Sequence, residues 1–199
     1  MLYTILVAEL IRLVIEEIPY IEPISIGEKY EFSYRGIDYA GKTVLDIGAD
    51  VGSTASYFLR RGARGVIAVE ASKKYFDILL ENAKGMRGLC TPIFMKVTEP
   101  VQLSSLLDTY KPDVLHMDCE GCERVLLSIK VEEWKNVPEY ELEVHYNKDM
   151  LFYFIEKFLN IRYEVFLFVI DPINHAWALT AKKIPEKDYE AIPNKGYRM

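Results

Sequence analysis

The chain has 199 residues, half of them hydrophobic and 13% aromatic, which is enough apolar side chain for one globular core. Its formal net charge is −6 and it has no run of five basic residues, so a phosphate-tracking nucleic-acid surface is not expected. Cys90, Cys119 and Cys122 are too few for a disulfide framework and read as reduced thiols of a cytoplasmic protein.

The N-terminal stretch LYTILVAELIRLVIEEI carries Glu9, Arg12, Glu16 and Glu17 and has no basic start. A membrane span needs about 20 nearly uncharged residues, and a signal peptide needs a cationic start. Glu9, Arg12 and Glu16 fall on one helical side and apolar residues cover the rest, so the stretch predicts an amphipathic helix. That helix packs on its own domain or forms a homodimer contact; a membrane surface is the third choice because its polar face is not basic. A linker with Pro19, Pro23 and Gly27 follows. Residues 1–29 are therefore read as helix and linker, and 30–199 as a single domain.

YEFSYRGIDY (30–39) reads as a hairpin or short strand pair. TVLDIGA (43–49) is an unbroken apolar strand, STASYFLRRG (53–62) a helix closed by glycine, and GVIAVE (65–70) a second strand. SKKYFDILLENAKG (72–85) has a serine start and a glycine stop. TPIFMKV (91–97) is a weaker strand, VQLSSLLDTY (101–110) a short helix, VLHMDCEG (114–121) a strand and ERVLLSI (123–129) a helix. PEYELEVHY (138–146) alternates with period two, which puts Glu141, Glu143 and His145 on one face. KDMLFYFIEKFLNI (148–161) has a helical stripe of Leu151, Phe154, Ile155 and Phe158. YEVFLFVI and AWALTAKKI close the chain as strands separated by DPINH, a turn that allows only an antiparallel pair. The expectation is an α/β fold: a seven-stranded, mostly parallel sheet with a C-terminal antiparallel hairpin and helices on both faces. That is the Rossmann-like sheet of class I methyltransferases, and in such sheets ligands bind at the carboxyl ends of the strands.

Two stretches carry chemistry. The first is the turn of Asp46, Gly48, Ala49, Asp50 and Gly52. It lacks the G-x-G pair of a dinucleotide fingerprint, and Asp46 would repel a pyrophosphate. An acid beside a backbone-only turn suits a cationic ligand with an amino acid moiety, such as S-adenosylmethionine (SAM). Glu70, followed by Ala71, ends the next strand and offers two oxygens to ribose hydroxyls. The second stretch is Asp118-Cys119-Glu120-Gly121-Cys122-Glu123. Asp118 and Glu120 are candidates for the base that takes an acceptor proton or for acceptor binding, and His145 joins them. Glu120 and Glu123 are also candidates for capping the next helix. The oxygens and nitrogen of Asp118, Glu120 and His145 suit a hard cation, but their spacing assigns no metal. The C-x-x-C pair is read as small packing residues, because Glu120 and Glu123 disfavour thiolates.

GKTVLDIGADVGSTASYFLRRGARGVIAVEAS, Asn82–Ala83 and LLDTYKPDVLHMDCEGCERVLL together resemble the FkbM-type SAM-dependent methyltransferases over roughly residues 30–146. The resemblance implies a Rossmann-like fold, SAM as methyl donor, and usually a hydroxyl as acceptor, here a small or sugar-like molecule. It places the cofactor at Asp46, Gly48, Ala49, Asp50, Gly52, Glu70 and Ala71, and the acceptor at Asp118, Glu120 and His145. Only KVTEPVQLSS lies between the third strand and the next helix, and Glu99 is its one acid. A non-catalytic SAM- or nucleotide-binding partner protein is the competing reading.

Overall fold

The computed structural model describes residues 34, 36–145, 148–171 and 176–188; the expected N-terminal helix and linker lie outside them. Seven strands form one sheet: β1 (Thr43–Ile47), β2 (Gly65–Glu70), β3 (Cys90–Phe94), β4 (Val114–Met117), β5 (Glu139–His145), β6 (Tyr163–Asp171) and β7 (Ala176–Lys183). Their order is β3-β2-β1-β4-β5-β7-β6. β1 to β5 are parallel, and β7 inserts antiparallel between β5 and β6. The helices are α1 (Ser53–Arg60), α2 (Lys73–Lys84), α3 (Pro100–Tyr110), α4 (Val131–Asn136) and α5 (Lys148–Asn160).

Side chains alternate across the sheet, so each face carries its own core. On one face Leu45, Ile47, Leu115, Met117, Leu142 and Val144 pack under α3, α4 and α5. Trp134 of α4 is fully buried there, with its ring 5.0 Å from Phe158 and 6.0 Å from Phe154. Each such side chain contributes about 1.5–3 kcal/mol through burial. On the opposite face Val44, Val66, Ala68 and Val114 meet Tyr57 and Phe58 of α1 and Leu79 of α2.

That second face is not wholly apolar. Asp46 pairs in register with His116, His116 with Glu141, and Glu141 with Thr180. All four are fully buried, so a polar row crosses four neighbouring strands. The row persists because its members bond one another and Tyr39, with His116 Nε2 the one buried side-chain atom of the row left without a partner among the described residues. Asp46 accepts from Thr54 Oγ1 at 2.6 Å and lies 2.9 Å from His116 Nδ1. Glu141 accepts from Thr180 Oγ1 at 2.9 Å and from the Tyr39 hydroxyl.

The expected strands of 30–39 do not form in the described part, residues 34 and 36–39, which is turn and irregular chain. The buried Tyr34 and Tyr39 rings cover the polar row instead: Tyr34 packs on His116 and turns its hydroxyl to Asp118 and Glu143, and the Tyr39 hydroxyl donates to Glu141. Gly36 is forced by this approach, since a Cβ there would lie 2.4 Å from Thr180 Oγ1. The helix expected at 123–129 is a 3-10 turn, Cys122–Ser128, followed by the short α4.

Candidate functional site

The chain leaves β1 toward α1 on one face and leaves β4 toward the 3-10 turn on the other. Neighbouring strands with diverging exits open a crevice at their carboxyl ends. A cleft of about 680 Å³ lies there. Its near wall is the glycine turn. Gly48 has φ 94°, and a Cβ on it would lie 1.9 Å from the Asp118 carbonyl oxygen, so only glycine lets the turn meet the β4 exit. The Gly48 and Ala49 amides donate to the Val69 carbonyl at 2.9 and 3.1 Å. Asn82 Nδ2 donates to the Val51 carbonyl at 2.8 Å and ties the turn to α2. No side chain caps α1, and Ser53 and Thr54 of its first turn line the cleft. The first turn of a helix carries the positive end of its dipole, and here that turn borders the cleft.

Glu70 stands opposite. Its Oε2 accepts the Asp50 amide at 2.9 Å, and its Oε1 accepts the Ser72 amide at 2.6 Å. Each oxygen keeps a second lone pair for a ligand hydroxyl. Met95, Lys96, Val97 and Thr98 continue this wall. Glu99 does not. It caps α3 in a reciprocal box with Gln102, so the one acid of that segment serves the helix.

The far wall is acidic. Asp118 lines the cleft, and behind it lie Glu143 and His145, 4% and 7% exposed. His145 Nε2 is 3.3 Å from Glu143 Oε1, 3.8 Å from Asp118 Oδ1 and 3.9 Å from Glu120 Oε1. On its other side, His145 Nδ1 is 3.8 Å from Glu123 Oε1. The Tyr34 hydroxyl donates to Asp118 Oδ2 at 3.3 Å and to Glu143 Oε2 at 3.4 Å. Glu123 is fully buried, and its Oε1 accepts the Cys119 amide at 3.0 Å. Its carboxylate reaches back to the β4 exit, which corrects the expectation of a helix cap. Burial and then the charge of Glu143 push the Asp118 carboxyl up to about 7. Contacts with Glu123 and then Glu143 push the His145 imidazolium up to about 11. For His116, burial alone would lower the pKa, but Asp46 holds it above the ordinary imidazole value.

The cysteines depart from the expectation of reduced thiols. Cys119 and Cys122 are joined in a disulfide, and only Cys90 is free. Glu120 and Gly121 both adopt positive φ, 55° and 106°, and this tight turn brings the two cysteine Cα atoms to 5.4 Å. Both cysteines line the cleft. Burial and then the charge of Asp46 push the Cys90 thiol up to about 11.

Of the predicted cofactor residues, Gly48, Asp50, Glu70 and Ala71 line the cleft. Asp46, Ala49 and Gly52 lie beneath it: Asp46 bonds Thr54 and His116, and Gly52 starts α1 at φ 91°. Of the predicted acceptor residues, Asp118 and Glu120 line the cleft and His145 sits behind Asp118. Sequence reasoning missed Tyr34, whose hydroxyl joins Asp118 to Glu143 across 84 and 109 residues; no local spacing signals such a contact.

No protein-family model matches the chain. The chain is 34% identical over 117 residues to uncharacterized protein 158B of Sulfolobus islandicus rod-shaped virus 1, covering 59% of this chain and 69% of that one. It is also 34% identical over 109 residues to uncharacterized protein 65 of Sulfolobus islandicus filamentous virus, covering 53% and 65%. Among solved structures it resembles the precorrin-6y C5,15-methyltransferase of Geobacter metallireducens, with a TM-score of 0.58 at 17% identity over 85% of this chain and 95% of that one. It also resembles M. capricolum TrmK in complex with S-adenosyl-homocysteine, with a TM-score of 0.56 at 16% identity over 84% and 74%. The fold is the Rossmann-like fold of these methyltransferases.

Proposed function

We propose that this chain, which belongs to the same family as uncharacterized protein 158B of Sulfolobus islandicus rod-shaped virus 1, is an FkbM-type SAM-dependent methyltransferase acting on a hydroxyl of a small or sugar-like acceptor. The observation that carries the reading is the cleft at the β1/β4 divide, with a backbone turn on one wall, Glu70 opposite and Asp118 at the far end. Its volume, about 680 Å³, suits a small-molecule cofactor, and its donor set matches the parts of SAM. The amides of Ser53 and Thr54 face the carboxylate. Glu70 takes the ribose hydroxyls, while Met95 and Val97 give the adenine an apolar wall. Asp46 acts from below by fixing Thr54 and the turn.

SAM supplies a methyl group on a sulfonium, and the acceptor oxygen must lose a proton as it attacks. Asp118 lies at the far end of the cleft, and its raised pKa suits a proton acceptor near neutrality. His145 holds its own proton between Glu123 and Glu143, so it orients Asp118 rather than acting as the base. Glu120 projects from the rim and can meet acceptor hydroxyls. Four carboxylates at this end, Asp118, Glu120, Glu123 and Glu143, outnumber the cations Arg124 and His145 there and favour a neutral or cationic acceptor over a phosphorylated one. The competing reading, SAM binding without turnover, draws on Glu99, which caps α3 and leaves the adenine wall without a carboxylate.

Calorimetry tests the cofactor. SAM or its demethylated product binds more tightly than NAD, and Glu70→Ala weakens binding by roughly 1–3 kcal/mol. Equal or tighter NAD binding sinks the methyltransferase reading. Binding unchanged in Glu70→Ala removes Glu70 from the site. Labelled SAM with a panel of hydroxyl acceptors then separates turnover from binding alone.

A further inference from the structure

We infer that the Cys119–Cys122 disulfide is a thiol–disulfide exchange site in the wall of the cleft, and that its substrate is a dithiol without negative charge. Both cysteines line the cleft and both keep partial exposure, so a small reductant reaches the sulfurs in the folded chain. Cys90, by contrast, is buried and lies in the core under α1 and α2.

The position of the bond argues against a purely stabilising role. It joins residues three apart in sequence, and closing so short a loop restricts the unfolded chain far less than closing a long one. The flanks are held without it. The Asp118 amide donates to the Ile47 carbonyl at 3.0 Å, and Val125 and Leu126 of the 3-10 turn are buried in the core. What the bond closes is the turn from Cys119 to Cys122, where Glu120, a non-glycine residue, adopts φ 55°. Breaking the bond frees that turn and leaves the fold standing. The reduced state also has a partner in place. Glu123 Oε1 lies 3.4 Å from Cys119 Sγ and can accept the proton of the thiol formed there.

The exchange balances as follows. One thiolate of the dithiol attacks one sulfur of the cystine, a mixed disulfide forms, and the Cys119–Cys122 bond breaks. The other cysteine leaves as a thiolate and takes a proton from water. The second thiolate of the dithiol then attacks its own sulfur in the mixed disulfide and releases the remaining cysteine, which is protonated in turn. The chain gains two electrons and two protons, and the dithiol leaves as its internal disulfide.

Geometry and charge select the substrate. The two cysteine Cα atoms are 5.4 Å apart. In a mixed disulfide with a monothiol, the neighbouring cysteine attacks before a second monothiol arrives, and the original bond returns. A dithiol carries its second thiol with it and completes the reduction. Asp118 and Glu120 flank Cys119 and line the cleft with it, and Glu123 stands at its sulfur, so these acids outnumber Arg124 and repel an anionic thiol. Resting on the methyl-transfer reading, exchange also acts on the acceptor end, because Glu120 lies within the turn that is freed and Asp118 directly precedes it. The exchange itself does not rest on that reading.

The oxidised, folded, full-length chain is incubated with millimolar dithiothreitol, a neutral dithiol, and alkylated with iodoacetamide without denaturant. Mass spectrometry then locates the label. We expect no label before reduction and label at both Cys119 and Cys122 after it, with Cys90 unlabelled and the circular dichroism unchanged. Glutathione, an anionic monothiol, at the same thiol concentration should reduce the bond at least about tenfold more slowly. Label at Cys119 and Cys122 only once denaturant is added, or only as the circular dichroism is lost, would show a structural disulfide and overturn the site. Label at both before reduction would overturn it too, since no bond would be present. Equal rates with glutathione would overturn the dithiol assignment. SAM calorimetry on the oxidised chain separates the two readings: reduction by the dithiol without SAM binding keeps the exchange site and removes the methyltransferase, and SAM binding with a bond that resists the dithiol does the reverse.

Discussion

Glu141 sits in the polar row between His116 and Thr180, fully buried, and accepts from Tyr39 and Thr180. Burial pushes its carboxyl up from 4.5 to about 7, while Tyr39, His116 and Thr180 oppose the shift without cancelling it. The sign follows from linkage. A raised folded pKa means that the folded chain keeps a proton the unfolded chain has released. The stabilisation is complete below about pH 4.5 and is lost as pH rises to about 7. The shift of about 2.5 units corresponds to roughly 3 kcal/mol. Glu141→Gln cannot titrate, so the stability gap between the protein and this variant should change by about 3 kcal/mol between pH 4.5 and pH 8, in favour of the variant at high pH. Denaturant unfolding at the two pH values measures it. A gap independent of pH would show that Glu141 is ionised in the fold, with the Tyr39 and Thr180 donors outweighing burial. Asp118 is shifted in the same direction, but it is common to both proteins and drops out of the difference.

The segment from the end of β4 through the 3-10 turn is where local structure and site chemistry meet. Asp118 follows the strand directly, the disulfide closes the turn, and Glu123 folds back onto the Cys119 amide. Unfolding without reductant should therefore expose one reactive thiol, Cys90, and reduction should raise the count to all three cysteines in the chain. Three reactive thiols before reduction would show that the Cys119–Cys122 bond is absent. This element was the least legible in the sequence. Seven residues are too few for a 3.6 period to separate an α-helix from a 3-10 turn, and the acids flanking the cysteines argued for free thiols. The longer elements were legible because their signals are redundant: the stripe Leu151, Phe154, Ile155 and Phe158 is the buried face of α5, and the unbroken apolar strands are the centre of the sheet. In the site, Gly48 and Glu70 were readable from a local motif. Tyr34 and the pairing of Asp118 with Glu143 come from contacts between distant segments, which only the folded sheet creates.

At the scale of the molecule the sheet separates its tasks. One face is an apolar core under α3, α4 and α5, and the other carries the polar row and, at its carboxyl end, the acidic wall of the cleft. No helix among the described residues is long and apolar enough to cross a membrane. The formal charge of −6 adds a general repulsion for polyanions to the local one at Asp118, Glu120, Glu123 and Glu143. A nucleic-acid acceptor would have to bring its phosphates past this wall, where Lys96 and Arg124 are the basic residues among the described lining and can release few counterions, and that release drives most such binding. Filter binding should therefore show no retention of bulk RNA at about 10 µM protein in physiological salt, where non-specific binders begin to hold at about 10⁻⁴–10⁻⁶ M. In parallel, label from methyl-tritiated SAM should pass to neutral hydroxylated small molecules and leave RNA unlabelled. Label entering RNA, with an affinity that falls steeply as salt rises, would overturn the small-acceptor assignment. Label entering neither class, with SAM still bound at the Glu70 cleft, would favour a binding protein that does not turn over.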